Sequence, residues 1–393
     1  MNDPNHACCL CEHETLIEIS AFATLHRVTS DVRPWEAGGE LAVCGRCGTV
    51  QKPRTDKWHA EIANTYETYD LYHQSGGEDH PVFDQTSGLA AGRSTCLIRN
   101  LVQEVSLGKH GRILDVGCGK GGFLSAFQSC RPGWQLEGFD QQEAGGQALE
   151  SIPGIAAYHS DSVEGIPGTF DLIVLNHVLE HVPEPTTFLV EIGRKLGPAG
   201  RLVVQVPNID RNPYDLVVVD HCIHFGTGSL RQLVSQAGFA IDVFSENWLP
   251  KELTLVARPV PGGERIDLPD EYASAASRAE HIRATVDWLH DTAADASACA
   301  QGDNGFGIFG TSIAALWLDA QTDGVAQYFC DEDPARHGRT LKGRPIVNPG
   351  KLEPPKTVYM PLAPEIAQAI AARLGGSGID LTPAPPVPVP PNG

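Results

Sequence analysis

Three groups of residues in this chain have types and spacing that can do chemistry. Cys8-x-x-Cys11 and Cys44-x-x-Cys47 supply four soft thiolates in two knuckles, a donor set that holds Zn²⁺ tetrahedrally. A closed four-thiolate site leaves no open position for a substrate, so this zinc is expected to be structural; a set of inert buried cysteines is the alternative. Asp220-His221-Cys222-Ile223-His224 places a carboxylate and two imidazoles within five positions. Histidine titrates near neutral pH, which makes His221 and His224 candidate proton acceptors and Asp220 a candidate orienter. They could instead be backbone-bonded structural histidines or ligands of a second metal. The third group is Asp115-Val116-Gly117-Cys118-Gly119-Lys120-Gly121-Gly122, an acid followed by crowded glycines. Glycines at this density let the backbone take positive φ and lie close against a ligand. The spacing is neither the dinucleotide fingerprint G-x-G-x-x-G nor a phosphate loop ending in G-K-[ST].

These residues need elements to position them. An apolar run precedes Asp115 and a helical pattern follows Gly122, which predicts a strand, a tight turn and a helix start. From 111 to 258 strands and helices alternate, with strands expected at 112–116, 135–139, 155–158, 171–175, 202–206, 240–244 and 252–257. This is the pattern of a mostly parallel α/β sheet. A helix starting at Pro185 buries Phe188, Leu189, Ile192 and Leu196 and stops at Gly197-Pro198. A second strand–glycine–helix unit begins at Phe306-Gly307-Ile308-Phe309-Gly310 and is followed by an acid-ended strand at Asp331. The expected organisation is a zinc-binding module over 1–60, connector or lid helices over 61–110, an α/β domain over 111–258, a smaller Rossmann-like domain over 270–378, and a Pro-rich tail over 379–393.

Composition narrows the function. The 393 residues carry a net charge of −20, and no run of Lys and Arg suggests phosphate-backbone binding, so a nucleic-acid partner is disfavoured and a small-molecule substrate is expected. No apolar stretch approaches the roughly 20 residues of a membrane span. The N-terminus lacks a signal-peptide core, which points to the cytoplasm. Eleven cysteines, an odd number, fit reduced thiols or metal rather than a disulfide framework.

The glycine segment resembles motif I of the class I S-adenosylmethionine (SAM) methyltransferases, D-x-G-x-G-x-G, and further residues stand in register with it. The resemblance implies that Asp115 and Gly117, Gly119 and Gly121 hold the methionine part of SAM. It implies that Asp140, with Gln141 next to it, accepts the ribose hydroxyls, and that Asp161 and Ser162 meet the adenine. Asn176 and His177 end the fourth strand and lead into Val178-Leu179-Glu180-His181-Val182-Pro183, a run common in small-molecule methyltransferases. This places Asn176 with the cofactor residues and makes His181 a further site candidate. Any one of these acids alone could be a turn or helix-cap residue.

The whole layout also resembles the sugar C-methyltransferases of deoxysugar biosynthesis, which join a cysteine zinc module, a SAM domain and a C-terminal Rossmann-like domain. That family methylates a carbon beside the ketone of a nucleotide-linked sugar, using a Tyr-x-Glu-His motif. Counting back from Leu230 puts His221 on the family's histidine, Asp220 on its glutamate and Val218 on its tyrosine. The resemblance makes His221 the base and Tyr69 or Tyr72 a second site tyrosine. The valine at 218 keeps O-methylation of a sugar or other hydroxyl as the alternative, and a non-catalytic zinc and α/β scaffold as the reading from another class. In the C-terminal part, Gly307 and Gly310 could cradle a phosphate, and Arg336, Arg339 and Arg344 are candidate diphosphate contacts.

Overall fold

The computed structural model describes residues 7–67, 81–83, 90–142, 145–263, 274–302, 304–374 and 378–390. In the N-terminal region, β1 (Leu16–Glu18), β2 (Ala42–Cys44) and β3 (Val50–Gln51) form a small antiparallel sheet, followed by α1 (Asp56–Glu67). Helix α2 (Arg93–Glu104) leads into the central domain. There β4 (Gly111–Val116), β5 (Trp134–Phe139), β6 (Ile155–His159), β7 (Phe170–Asn176) and β8 (Leu196–Pro207) run parallel. Helix α3 (Gly122–Cys130) links β4 to β5, and α4 (Pro185–Arg194) links β7 to β8.

The interior of β4 and β7 is apolar on both faces. Ile113, Leu114, Val116, Leu172, Ile173, Val174 and Leu175 are all buried, as expected for strands covered by helices on each side. Proline begins α4, where its missing N–H costs nothing, and Leu189 and Ile192 face the core. Chain reversal after Arg194 is faster than the Gly197-Pro198 signal suggests, because β8 begins at Leu196.

The chain then leaves the central sheet. Strand β9 (Ile223–His224) pairs antiparallel with β3, so it is a fourth strand of the N-terminal sheet; it carries His224, and His221 lies two residues before it. After α5 (Thr227–Gln236), β10 (Phe239–Ser245) and β11 (Glu252–Pro259) close the central sheet as an antiparallel edge, giving the seven-strand order β6-β5-β4-β7-β8-β11-β10. The N-terminal region is thus not a separate bead. Val219 N donates to Val28 O at 2.9 Å and Lys52 N to Cys222 O at 2.9 Å, stitching the 218–224 segment to it. Cys8 and Cys44 share one apolar core with the central sheet, while Phe22, Leu25 and Val28 share another with the C-terminal part.

Helix α6 (Ala275–Ala300) crosses to the C-terminal domain, whose β12 (Gly305–Phe309), α7 (Ile313–Gln321), β13 (Tyr328–Cys330), β14 (Arg344–Val347), β15 (Lys356–Met360) and β16 (Ile379–Pro383) make a parallel sheet in the order β14-β13-β12-β15-β16, with Thr340–Leu341 antiparallel at one edge. Two Rossmann-like sheets therefore flank the N-terminal region. Among the described residues no helix is long and apolar enough to cross a membrane.

Candidate active site

Parallel sheets bind ligands beyond the carboxyl ends of their strands, at the point where the strand order reverses. Here that point is the end of β4. Asp115 closes the strand, is buried, and is pushed well above the usual carboxylate range by desolvation and by the nearby Asp140. Gly117 and Gly121 follow with φ of 73° and 80°. A side chain at Gly117 would also put its Cβ 2.6 Å from Val178. Both positions therefore need glycine, once for conformation and once for space. Gly121 N-caps α3 and turns the loop toward the ligand side.

Asp140 follows β5 and organises the loop. Its Oδ2 accepts from Gly119 N at 2.9 Å and its Oδ1 from Gln142 N at 3.0 Å, which leaves lone pairs on both oxygens for a diol. Gln141 is exposed at this corner. Asp161 and Ser162 lie after β6, at the same sheet edge, and are exposed; Ser162 Oγ accepts from Gly165 N at 3.1 Å. Asn176 ends β7. Its Oδ1 is buried with no hydrogen-bond partner, an orphaned acceptor that fits a donor group on a ligand. The glycine cradle, Asp140 and the orphaned Asn176 oxygen lie along one sheet edge, and their open acceptors fit the hydroxyl and amine donors of a SAM molecule.

Beyond Asn176 the side chains form one polar chain. His177 sits at φ 57°, donates from Nδ1 to Glu180 Oε1 at 3.0 Å, and receives Arg93 Nη2 on Nε2 at 2.7 Å. Arg93 also pairs with Glu252. Burial opposes charge on Glu180, yet the neighbouring His177, His181 and His221 hold it below the usual carboxylate range, and its Oε2 is buried without a hydrogen-bond partner. His181 donates from Nδ1 to the Asp220 carbonyl at 3.0 Å and packs edge-to-face on His221 with ring centroids 4.7 Å apart. Tyr66 Oη stands 3.3 Å from His181 Nδ1. Burial and the facing His221 lower the pKa of His181, which favours a neutral ring. One donor atom each from Glu180, His181 and His221 falls within 4.8 Å of the others.

The structure separates Asp220 from the imidazole beside it in sequence. Its carboxylate accepts from Ser30 N at 2.8 Å and from Ser30 Oγ, and its Oδ2 is 3.4 Å from His181 Nδ1. The group on His221 is Asp215, which the sequence reading missed. Asp215 Oδ1 accepts from His221 Nδ1 at 2.7 Å, and Oδ2 accepts from His224 Nδ1 at 2.7 Å. Asp215 stands six residues before His221 in a short 3₁₀ turn, Pro213–Val217, and no local spacing marks it. Burial disfavours its charge, but the two imidazoles outweigh that and hold it well below the usual carboxylate range. Burial likewise opposes charge on His221, and Asp215 overcomes it, raising His221 above its ordinary value. This pairing fixes the His221 tautomer with Nε2 as the basic nitrogen.

His224 is fully buried, its pKa lowered to about 4 by desolvation, and its Nε2 has no hydrogen-bond partner. It braces Asp215 from inside the fold. The shared carboxylate also occupies one nitrogen of each histidine that sequence had offered as a metal pair. Lys52, buried behind this group and bonded to the Val218 and Val219 carbonyls, is lowered to about 7 by desolvation. Tyr69 and Tyr72 lie outside the described residues.

The four N-terminal cysteines come together. Their sulfurs all lie within 4.8 Å of one another, with Cys8–Cys47 at 3.6 Å and Cys11–Cys44 at 3.5 Å. Tetrahedral Zn–S bonds of about 2.3 Å put neighbouring sulfurs about 3.8 Å apart. Backbone N–H groups of Leu10 and Arg46 point at the Cys8 and Cys44 sulfurs, each at 3.4 Å, as a thiolate ligand requires. The donor set fits a tetrahedral ion.

Three of the C-terminal candidates are otherwise engaged. Gly307 lies inside β12, where a Cβ would meet the Tyr328 ring at 2.2 Å, so it is a packing glycine. Arg344 is bidentate on buried Asp319, and Arg336 pairs with Asp331 and Asp333.

A methyltransferase-domain family model matches residues 91–242. The chain is 36% identical over 118 residues to the ubiquinone biosynthesis O-methyltransferase of Xanthomonas euvesicatoria pv. vesicatoria, covering 28% of this chain and 48% of that protein. It is 36% identical over 102 residues to the mitochondrial ubiquinone biosynthesis O-methyltransferase of Schizosaccharomyces pombe, covering 24% of this chain and 36% of that protein. The chain thus spans less than half the length of these two curated relatives. Among solved structures, the mitomycin 7-O-methyltransferase MmcR is 16% identical with a TM-score of 0.38, covering 52% of this chain and 68% of that one. The calicheamicin-biosynthesis methyltransferase CalO1, in an SAH-bound form, is 20% identical with a TM-score of 0.33, covering 41% and 52%. Residues 91–242 are a class I SAM-dependent methyltransferase domain.

Proposed function

We propose that the protein is a SAM-dependent O-methyltransferase acting on a small-molecule hydroxyl, with His221 as the base. The observation that carries the reading is the buried Asp215–His221 pair beside the β7 end of a methyltransferase domain. When bound, SAM supplies an electrophilic methyl group on a sulfonium. Asp115, Asp140, the glycine loop and Asn176 hold it, with Asp161 and Ser162 at the adenine end. His221 Nε2 takes the acceptor's proton, and Asp215 stabilises the imidazolium that forms. His181 and Glu180 line the same pocket and orient the acceptor. The O-methyltransferase names of the relatives that match the central domain support oxygen as the nucleophile.

The four-cysteine cluster holds a structural zinc ion in this reading. It sits directly before β3, and β3 carries β9, so the metal fixes the frame on which His224 and its neighbour His221 are mounted. The same cluster, joined to a C-terminal Rossmann-like sheet, favours a second reading: C-methylation of a nucleotide-linked keto sugar through an enolate.

A turnover assay separates the two. SAM is incubated with phenolic, fully hydroxylated sugar and 4-keto sugar acceptors in deuterated water, and products are read by mass spectrometry. A methylated product from a hydroxyl acceptor without deuterium uptake supports O-methylation. Methylation of a keto sugar with deuterium beside the ketone replaces it with the second reading. Absence of SAM binding by calorimetry would overturn both.

A further inference from the structure

In a chain with a net charge of −20, a cation on the ligand side of the central sheet with no counterion among the described residues calls for an explanation. Lys251 is such a cation. It lies in the turn between β10 and β11 at φ 65°, a left-handed conformation that a lysine seldom takes. Its carbonyl accepts from Asn208 N at 2.9 Å, which pins the turn to the carboxyl end of β8. This is the ligand side of the central sheet, next to the end of β7.

A second cation stands close by, and the two nearby acids are each paired through one oxygen, the other oxygen of each being buried without a hydrogen bond. Arg93, at the start of α2, lies close enough to add its repulsion to the desolvation that lowers the Lys251 pKa. Arg93 in turn contacts His177, which also stands at positive φ. Glu252 pairs with Arg93 and lies 3.2 Å from His177, and Glu180 pairs with His177. The Lys251 side chain is half-buried, and its ammonium has neither a hydrogen bond nor an ion pair among the described residues. A half-buried ammonium with no carboxylate beside it has its donors open to an anionic ligand, and a charge-assisted hydrogen bond there is stronger than a neutral one.

We propose that Lys251, with Arg93 beside it, seats an oxyanion of the methyl acceptor, so that the substrate is an anionic small molecule bearing a carboxylate or a phosphate group. This rests on the methyltransferase reading above. It assigns the turn at 251 to acceptor binding and leaves the proton transfer to His221. The alternative source of an oxyanion at this place is the carboxylate of SAM itself.

The test uses the full chain saturated with S-adenosylhomocysteine and titrated calorimetrically with inorganic pyrophosphate, inorganic phosphate and benzoate. Wild type should bind at least one probe. Lys251→Met should weaken that binding at least tenfold, Lys251→Arg should stay within about threefold, and S-adenosylhomocysteine affinity should stay within about twofold in both. Preference for pyrophosphate identifies a phosphorylated acceptor, and preference for benzoate a carboxylic acid. Three results overturn the proposal: no probe binds wild type, Lys251→Met binds the probes as wild type does, or Lys251→Met loses S-adenosylhomocysteine affinity, which would assign the lysine to the cofactor. Circular dichroism melting of each variant separates misfolding from lost binding. Should the chain fail to bind S-adenosylhomocysteine at all, the methyltransferase reading falls, and the same titration on the ligand-free protein still decides whether Lys251 binds an oxyanion.

Discussion

The two Rossmann-like sheets repeat one local design and use it differently. In each, a strand enters a glycine turn and a helix, and the next strand ends in an aspartate that accepts from the backbone N–H two residues on: Asp140 from Gln142, and Asp331 from Asp333, both at 3.0 Å. The second oxygen tells them apart. Asp140 Oδ2 takes a loop amide, Gly119 N, and keeps capacity for a ligand. Asp331 Oδ2 takes Thr311 Oγ1 at 2.6 Å and Arg336 Nη1 at 3.1 Å, so the protein's own hydroxyl and guanidinium fill the place a ligand would take. Three loop glycines at positive φ open the central crevice, whereas Gly310 alone does so in the C-terminal one. A strand–glycine–helix–acid sequence thus makes a binding crevice only when the acid is left with unspent acceptors.

This contrast is open to direct attack. The largest effect is expected at His221: His221→Gln should lose about 10²–10⁴ in turnover while SAM affinity stays within about twofold, and Arg336→Met in the filled crevice should leave turnover within about twofold. Equal losses in the two variants would erase the functional difference between the sheets. The matched acids sharpen it. Asp140→Asn should weaken SAM binding about 10- to 100-fold, from lost charge-assisted hydrogen bonds worth about 1.5–3 kcal/mol. Asp331→Asn should not change SAM binding but should destabilise the protein by about 1–2 kcal/mol in urea melts, because Arg336 loses one of its two carboxylate partners and keeps only Asp333.

Cys44→Ser probes the link between them. It should lose most bound zinc by elemental analysis and speed amide exchange in 218–224 more than in β12 or β13. Full zinc retention would remove Cys44 from the ligand set. The smallest effect is a shift rather than a loss. Asp215 raises the His221 pKa, so turnover should rise with pH as His221 gives up its proton, and Asp215→Asn should move that limb to lower pH. An unmoved limb would assign the titration to another group. The pair also contributes to stability with opposite signs. His221, raised in the fold, contributes at pH below its unfolded value and loses this as pH rises through the folded one. Asp215, depressed in the fold, contributes above its unfolded value and loses this as pH falls.

Much of the fold was legible because it rests on local signals. Strands β4 to β7 show as apolar runs ended by Asp115, Asp140, His159 and Asn176, and the turn after β4 shows because positive φ demands glycine. The convergence of Cys8, Cys11, Cys44 and Cys47 was legible because a two-residue gap turns both sulfurs of a pair toward one point. Asp220 misled because adjacency in sequence is not adjacency in space. Asp220 sits in the turn before β9, and the chain bends between it and His221, so Asp220 reaches Ser30 and the His181 edge while His221 turns to Asp215.

The sequence by itself determined the elements, the glycine cradle and which residue types could carry a proton, because each is set by chain geometry within a few residues. Tertiary structure decided the rest. Asp215 became the partner of His221 only when residues six and nine apart met around one buried carboxylate. The candidate base came to lie beside the N-terminal sheet only when β9 left the central domain to pair with β3. Asp331 lost its ligand capacity only when Arg336 folded onto it. Burial and pairing are properties of the packed chain, and they, rather than residue type, select which of two like acids is free to bind.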